Sequence, residues 1–198
     1  MRKSAGFTVF ELLVGIAVLS ILVSVAMPGF QSTISDAKQV SAFNKVSSTL
    51  RFARSEAVKR SSAVSICGRA TDTTCGSDWS NGMLVFLDNA SGTDLPLVYD
   101  GQDSTLRSIL PVSTGINMNS SALLSSTATS PTSTSVIRFD GRGRPNWLNG
   151  TIVLCDERGD KHARALIMTG SGITRQAYAT TTSNEVVVDA RGTAVSCS

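Results

Sequence analysis

Glu11 is the one acid in an apolar run, Phe7–Met27 (FTVFELLVGIAVLSILVSVAM), of about the length needed to span a bilayer as an α-helix. A carboxylate left alone in such a helix costs several kcal/mol, so it signals function by default. Its plainer reading is a membrane anchor whose acid snorkels to the interface. A second candidate is Gly141-Arg142-Gly143-Arg144, where two arginines on a glycine-rich turn can reach phosphates. Arg158, Lys161 and Arg164 extend that charge if the loops cluster. Asp140, Asp156, Glu157 and Asp160 dilute it, and Pro145 closes the stretch, so a solvated turn is the favoured reading. The chain has four cysteines, Cys67, Cys75, Cys155 and Cys197, all beyond the apolar run. An even count in an exported domain reads as two disulfides with three possible pairings. The favoured set closes a short loop with Cys67–Cys75 and ties down the tail with Cys155–Cys197. The spacing is no zinc pattern, and the single histidine, His162, adds little. With no serine elbow and no phosphate loop, no catalytic residue, metal site or cofactor is expected, and the chain is expected not to be an enzyme.

The elements that must position these residues start with a short basic leader, Met1-Arg2-Lys3-Ser4-Ala5-Gly6. A secretory signal has a longer basic region and is cut after its apolar core. Here the small-residue junction, Gly6, precedes the core, so a cut there removes the charged leader and keeps the helix. Arg2 and Lys3 hold the N-terminus in the cytoplasm and send the bulk of the chain outward. They also supply two of the three net positive charges, and the roughly +1 that remains is too small to argue nucleic-acid binding from bulk charge. Beyond the membrane segment Val40, Phe43, Val46, Leu50, Ala53 and Ala57 recur at three- and four-residue steps, which places them on one face of a continuing helix. That helix, residues 7–60, would be about 80 Å long, with Pro28 and Gly29 kinking or loosening it.

An amphipathic stripe needs a sheet to bury it. Ala63–Cys67, Met83–Leu87, Val136–Phe139, Ile152–Cys155 and Ala165–Met168 read as strands, with Val186–Val188 a further candidate. Asn119–Ser135, rich in serine and threonine, reads as an exposed, mobile loop. About 140 residues beyond the helix suffice for one compact domain. The expected fold is α+β, a long N-terminal helix whose second half is laid across an antiparallel sheet. Trp79 and Trp147 are weighed as partner anchors and, more favourably, as covers for the ends of the core.

Gly6-Phe7-Thr8-Val9-Phe10-Glu11-Leu12-Leu13-Val14, with Pro28 further on, resembles the leader and N-terminal helix of type IV pilins and type II secretion pseudopilins. The resemblance implies cleavage by a prepilin peptidase after Gly6, methylation of Phe7 as the new N-terminus, and a role for Glu11 in assembly. In that family the acid pairs with the terminal amine of a neighbouring subunit, which fits the cost of burying either charge alone. It further implies a leader at residues 1–6, a helix at 7–60 whose part 7–27 spans the inner membrane, and a periplasmic β-rich domain at 61–198.

Leu50–Arg60, Val64–Cys67, Cys75 with Trp79 and Asn81-Gly82, Val136–Gly143 and Val153–Gly159 resemble the GspH/FimT/FimU group of minor pilins and pseudopilins. What this implies is a low-copy subunit that helps initiate and cap assembly at a filament tip, with other minor and major pilins or pseudopilins as partners. The alternatives are a minor pseudopilin of type II secretion and a DNA-binding minor pilin in natural transformation. Some FimT-like members carry a Gly-Arg-x-Arg motif that contacts DNA. Here Gly141–Arg144 matches it literally, giving Arg142 and Arg144, but the family's motif aligns better with Gly172-Ile173-Thr174-Arg175, where only Arg175 remains. The tail from Gln176 onward is not accounted for by this resemblance.

Overall fold

The computed structural model describes residues 8–76, 78–89, 99, 103–111, 115–124, 136–178 and 186–197. The chain divides into two units, Met1–Ala37 and Lys38–Ser198.

In the first unit helix α1 (Val9–Arg60) begins. Thr8 caps it: its Oγ1 accepts the Glu11 amide at 3.2 Å, the Thr-x-x-Glu arrangement of a capping box. Val9, Phe10, Leu12, Leu13, Ile16, Leu19, Ile21 and Leu22 are all more than half exposed, so the helix is apolar without being buried. The hydroxyls of Ser20 and Ser24 donate back to the Ile16 and Ile21 carbonyls at 2.7 Å each, so neither leaves an unpaired donor on this surface. Among the described residues no single helix is long and apolar enough to cross a membrane. Val9–Ser24 and Gly29–Arg60, bent at a break that brackets Pro28, pass that test together by length and composition.

The second unit is built on the rest of α1. Its buried stripe is Gln39, Ala42, Val46, Leu50, Ala53 and Ala57, with Phe43 and Phe52 partly buried beside it. Val40, expected on this face, is 40% exposed, because at about 100° per residue two successive three-residue steps back from Val46 turn it about 120° away, whereas Gln39, seven residues back, stays within about 20°. The helix ends in a Schellman motif. The Ser62 amide donates to the Ala57 carbonyl and the Ser61 amide to the Val58 carbonyl, with Ser61 at φ +52.

Two antiparallel sheets receive the stripe. The first contains β1 (Val64–Arg69), β2 (Cys75–Gly76), β3 (Met83–Leu87), β4 (Ser104–Ile109) and β6 (Val136–Phe139), in the order β2-β1-β3-β4 with β6 also paired to β1. The second contains β5 (Asn117–Leu124), β7 (Trp147–Cys155), β8 (Arg164–Thr169) and β9 (Thr174–Gln176), in the order β5-β7-β8-β9. Alternate residues of both sheets meet the helix in one core: Val64 and Ile66, Met83 and Val85, Ile137 and Phe139, Ile152 and Leu154, Leu166 and Met168. Each of these side chains contributes about 1.5–3 kcal/mol by leaving water. Beside this core a buried Asp88 accepts from the Ser65 hydroxyl at 2.7 Å and pairs with Arg138, whose Nη2 donates to Asp88 Oδ1 at 3.4 Å while its Nε lies 2.9 Å from Oδ2.

The opposite strand faces are apolar too, and each is covered. Cys67, Leu84, Phe86 and Val136 form a small cluster with Cys75 and Tyr99, the Tyr99 ring standing edge-on to Phe86 at 5.3 Å. Val153, Ala165 and Ile167 are covered by Val186, Val187, Ala190 and Val195 of the tail. The expected strand at Val186–Val188 is only half of a small hairpin, with Val188 bridged to Ala194 around a turn held by Asp189.

One further reading of the sequence needs correction. Asn119–Leu124, expected in a loop, lies in β5 and pairs with β7 along its whole length, because backbone pairing does not require apolar side chains. Residues 125–135 of that loop lie outside the described residues. Trp79, weighed as a partner anchor and more favourably as a cover for the core, is 2% exposed and packs in the main core, in line with the favoured reading. The side chain of Trp147 lies outside the described residues.

Candidate functional site

Of the leader and assembly residues, Gly6 and Phe7 lie outside the described residues. Glu11 stands in the first turn of α1, where a carboxylate complements the unpaired amides of the helix start. No cation meets its side chain among the described residues, and the surface around it is hydrocarbon.

The cysteines form two disulfides, Cys67–Cys75 and Cys155–Cys197, with Cα–Cα distances of 5.6 Å in each. The first closes the β1–β2 connection. The second pins the tail, whose Cys197 amide also donates to Asp160 Oδ1 at 2.7 Å.

The arginine candidates fall on two turns. In the first, Asp140 organises everything: its Oδ1 accepts the Arg142 and Arg144 amides at 2.9 and 2.8 Å, and its Oδ2 accepts Arg144 Nε at 2.9 Å. Burial pushes the Asp140 carboxyl up, but the Arg144 amide and guanidinium and the Arg142 amide outweigh it and hold it below the usual carboxylate range. Arg144 is therefore committed to its own turn, while the exposed Arg142 guanidinium has no partner among the described residues. Gly141 must be glycine here, since a Cβ would come within 2.6 Å of the Ser61 backbone at the helix end.

The second turn is the four-residue β8–β9 connection Gly170-Ser171-Gly172-Ile173, closed by the Thr169 amide on the Ile173 carbonyl at 3.0 Å. Arg175 follows it in β9, exposed and unpaired among the described residues.

The two stretches that compete in the sequence for one motif are neighbours in the structure, held by a residue that neither contains. Arg54 on α1 donates from Nε to the Gly143 carbonyl and from Nη2 to the Ser171 carbonyl, both at 3.1 Å. Gly143 and Gly172 have φ of +76 and +77, and a Cβ on Gly172 would lie 2.5 Å from the Gly143 oxygen and 3.0 Å from Arg54 Nε. Sequence reasoning missed Arg54 as a site residue. Its signal was position, an arginine between Leu50 and Ala57 beside the buried stripe.

Next to this contact an open groove of about 610 Å³ is lined by Arg51, Lys59, Val58, Ile173 and Thr174, among others. The structure thus brings Arg142, Arg175 and the groove to one region of the second unit, and keeps Glu11 in the first.

Comparisons with known proteins agree with this layout. Residues 42–172 match the family model described as type II transport protein GspH, and residues 1–27 match the prokaryotic N-terminal methylation motif. The fold is similar to that of the type IV minor pilin FimU of Pseudomonas aeruginosa PAO1. That crystal structure has 17% identity and a TM-score of 0.51 over 71% of this chain and 88% of that one. A second crystal form of the same protein gives 20% identity and a TM-score of 0.48, over 69% and 90%. No curated protein matches the chain. With about two thirds of its length inside one family model and a methylation motif at its start, the chain belongs to the GspH/FimT/FimU family of minor pilins and pseudopilins.

Proposed function

We propose that this chain is a minor type IV pilin that helps initiate and cap assembly at the tip of a filament. The observation that carries the reading is Glu11: a single acid at the capped start of a helix whose first stretch, as far as Val23, exposes its apolar side chains all round. Such a surface is stable only in lipid or among similar helices, and its acid is tolerable there only beside a cation. The amine freed by cleavage after Gly6 on a neighbouring subunit supplies that cation. Before assembly the same helix holds the chain in the inner membrane, with the β-rich unit in the periplasm. A role as a minor pseudopilin of type II secretion is the second reading, supported by the description of the matching family model.

The test compares cells making the wild-type chain with cells making Glu11→Ala. The variant is expected to be processed and found in the membrane, yet be missing from sheared filaments. Equal incorporation of both would remove the role given to Glu11. Label at one filament end supports capping, and label along the filament length overturns it. Deleting the gene then separates the two readings, by loss of surface filaments in one case and of protein export in the other.

A further inference from the structure

Among the described residues the second sheet ends in an open edge. β9 is paired on one side only, by β8, in the register Met168 with Thr174, Ile167 with Arg175 and Leu166 with Gln176. The Ile173 carbonyl and the Ala177 amide bond to the β8 side. Antiparallel alternation therefore turns the peptide groups of Thr174 and Gln176 away from β8, and nothing among the described residues pairs with them. An edge that offers both N–H and C=O groups fits another peptide strand. A phosphodiester chain, which carries acceptors only, leaves the amides of that strand satisfied and its carbonyls unpaired.

The surroundings of this edge decide what kind of strand it takes. On the helix side lies the groove, whose Arg51 has no acid beside it among the described residues. Its Lys59 is 75% exposed, with only Glu56 at 3.9 Å. Glu56 itself is already held by Arg60 at 2.8 Å. Arg54 is bonded to carbonyls alone, so its charge is not cancelled either. On the other face of β9 stands Arg175, exposed. Val58 and Ile173, which line the same groove, are 50% and 57% exposed and give apolar contact to an incoming side chain. Cations on both faces of a short edge also act against self-pairing, since a second copy would bring like charges together.

We infer that the open edge of β9 and the adjoining basic groove are a docking site for an extended, acidic segment of a partner protein, added beside Thr174–Gln176 as a fifth strand. Its carboxylates meet Arg51, Lys59 and Arg175, and its backbone completes the unpaired edge.

The experiment uses the full chain in non-ionic detergent and fluorescence anisotropy with short labelled peptides. The probe alternates Glu with Val. Its companions are the Lys–Val counterpart, a Glu–Val peptide N-methylated at alternate amides, and oligothymidylate. The Glu–Val peptide is expected to bind, with affinity falling about tenfold in the double variant Arg51→Glu with Lys59→Glu. N-methylation is expected to weaken it by about tenfold or more, since strand amides are lost without any change to the protein. Thr174→Pro, which removes an outward amide, should act in the same direction. If that variant fails to fold, the N-methylated peptide decides alone. Absence of Glu–Val binding would overturn the proposal, as would equal affinity for the N-methylated form. Binding of oligothymidylate without Glu–Val binding would assign the groove to nucleic acid and overturn it too.

Discussion

At the scale of single residues, Arg54 has the largest structural consequence. It hydrogen-bonds a carbonyl in each of the two turns, Gly143 in one and Ser171 in the other, and each turn is shaped to admit it by a glycine at positive φ. Arg54→Ala leaves two carbonyls without their donor and is expected to cost about 2–3 kcal/mol, read as a shift in urea midpoint at constant slope. Arg54→Lys should recover only part of that, because an ammonium cannot reproduce the planar fork that serves two acceptors. Full recovery by lysine would show that charge alone matters here. Nothing in the string Gly141–Arg144 or Gly172–Arg175 announces this residue, which lies about 90 positions earlier than the first.

Among the elements, the tail is the clearest addition. Residues 42–172 match the family model, whereas 186–197 lie beyond it and cover the outer face of β7 and β8. The Cys155–Cys197 bridge closes a separation of 42 residues and Cys67–Cys75 one of 8. Loop-closure entropy then gives the first about 4 kcal/mol and the second about 2.5 kcal/mol. Paired Cys→Ser variants should lose stability in that order in denaturant titrations, and the reverse order would mean that strain or denatured-state structure dominates. Strands with apolar residues on both faces, such as β1 and β3, were legible because sandwiching them between the helix and a second cluster imposes composition. β5 and β9 were not, since serine- and threonine-rich or three-residue strands are held by their neighbours' backbones.

For the whole molecule, acid stability follows from carboxylates locked to arginines. At Asp140 and Asp156 burial pushes the pKa up, but bonds from Arg144 and Arg158 outweigh it and both end below the usual range. A depressed carboxyl binds its proton less well when folded. Its stabilisation is therefore complete above about pH 4 and lost as pH falls through the lowered folded value. Asp140→Asn should lower stability at neutral pH and flatten the decline in unfolding free energy below about pH 4. An unchanged acid limb would mean that other carboxylates carry it. The predicted loss is modest, because Asp140 is partly in solvent.

Local patterns in the sequence determined the long helix, the lone acid of its apolar first stretch, the basic residues before it, the disulfide-bearing β-rich domain and the α+β class. These are one-dimensional signals, since hydrophobic period, charge placement and cysteine parity need no knowledge of what comes near in space. Only the tertiary structure decided that Val40 faces solvent while Gln39 is buried, that Asn119–Leu124 is a strand, and that two arginine turns far apart in the chain meet over Arg54. Those outcomes depend on packing and backbone pairing between distant segments, and such contacts leave no periodic trace in the order of residues.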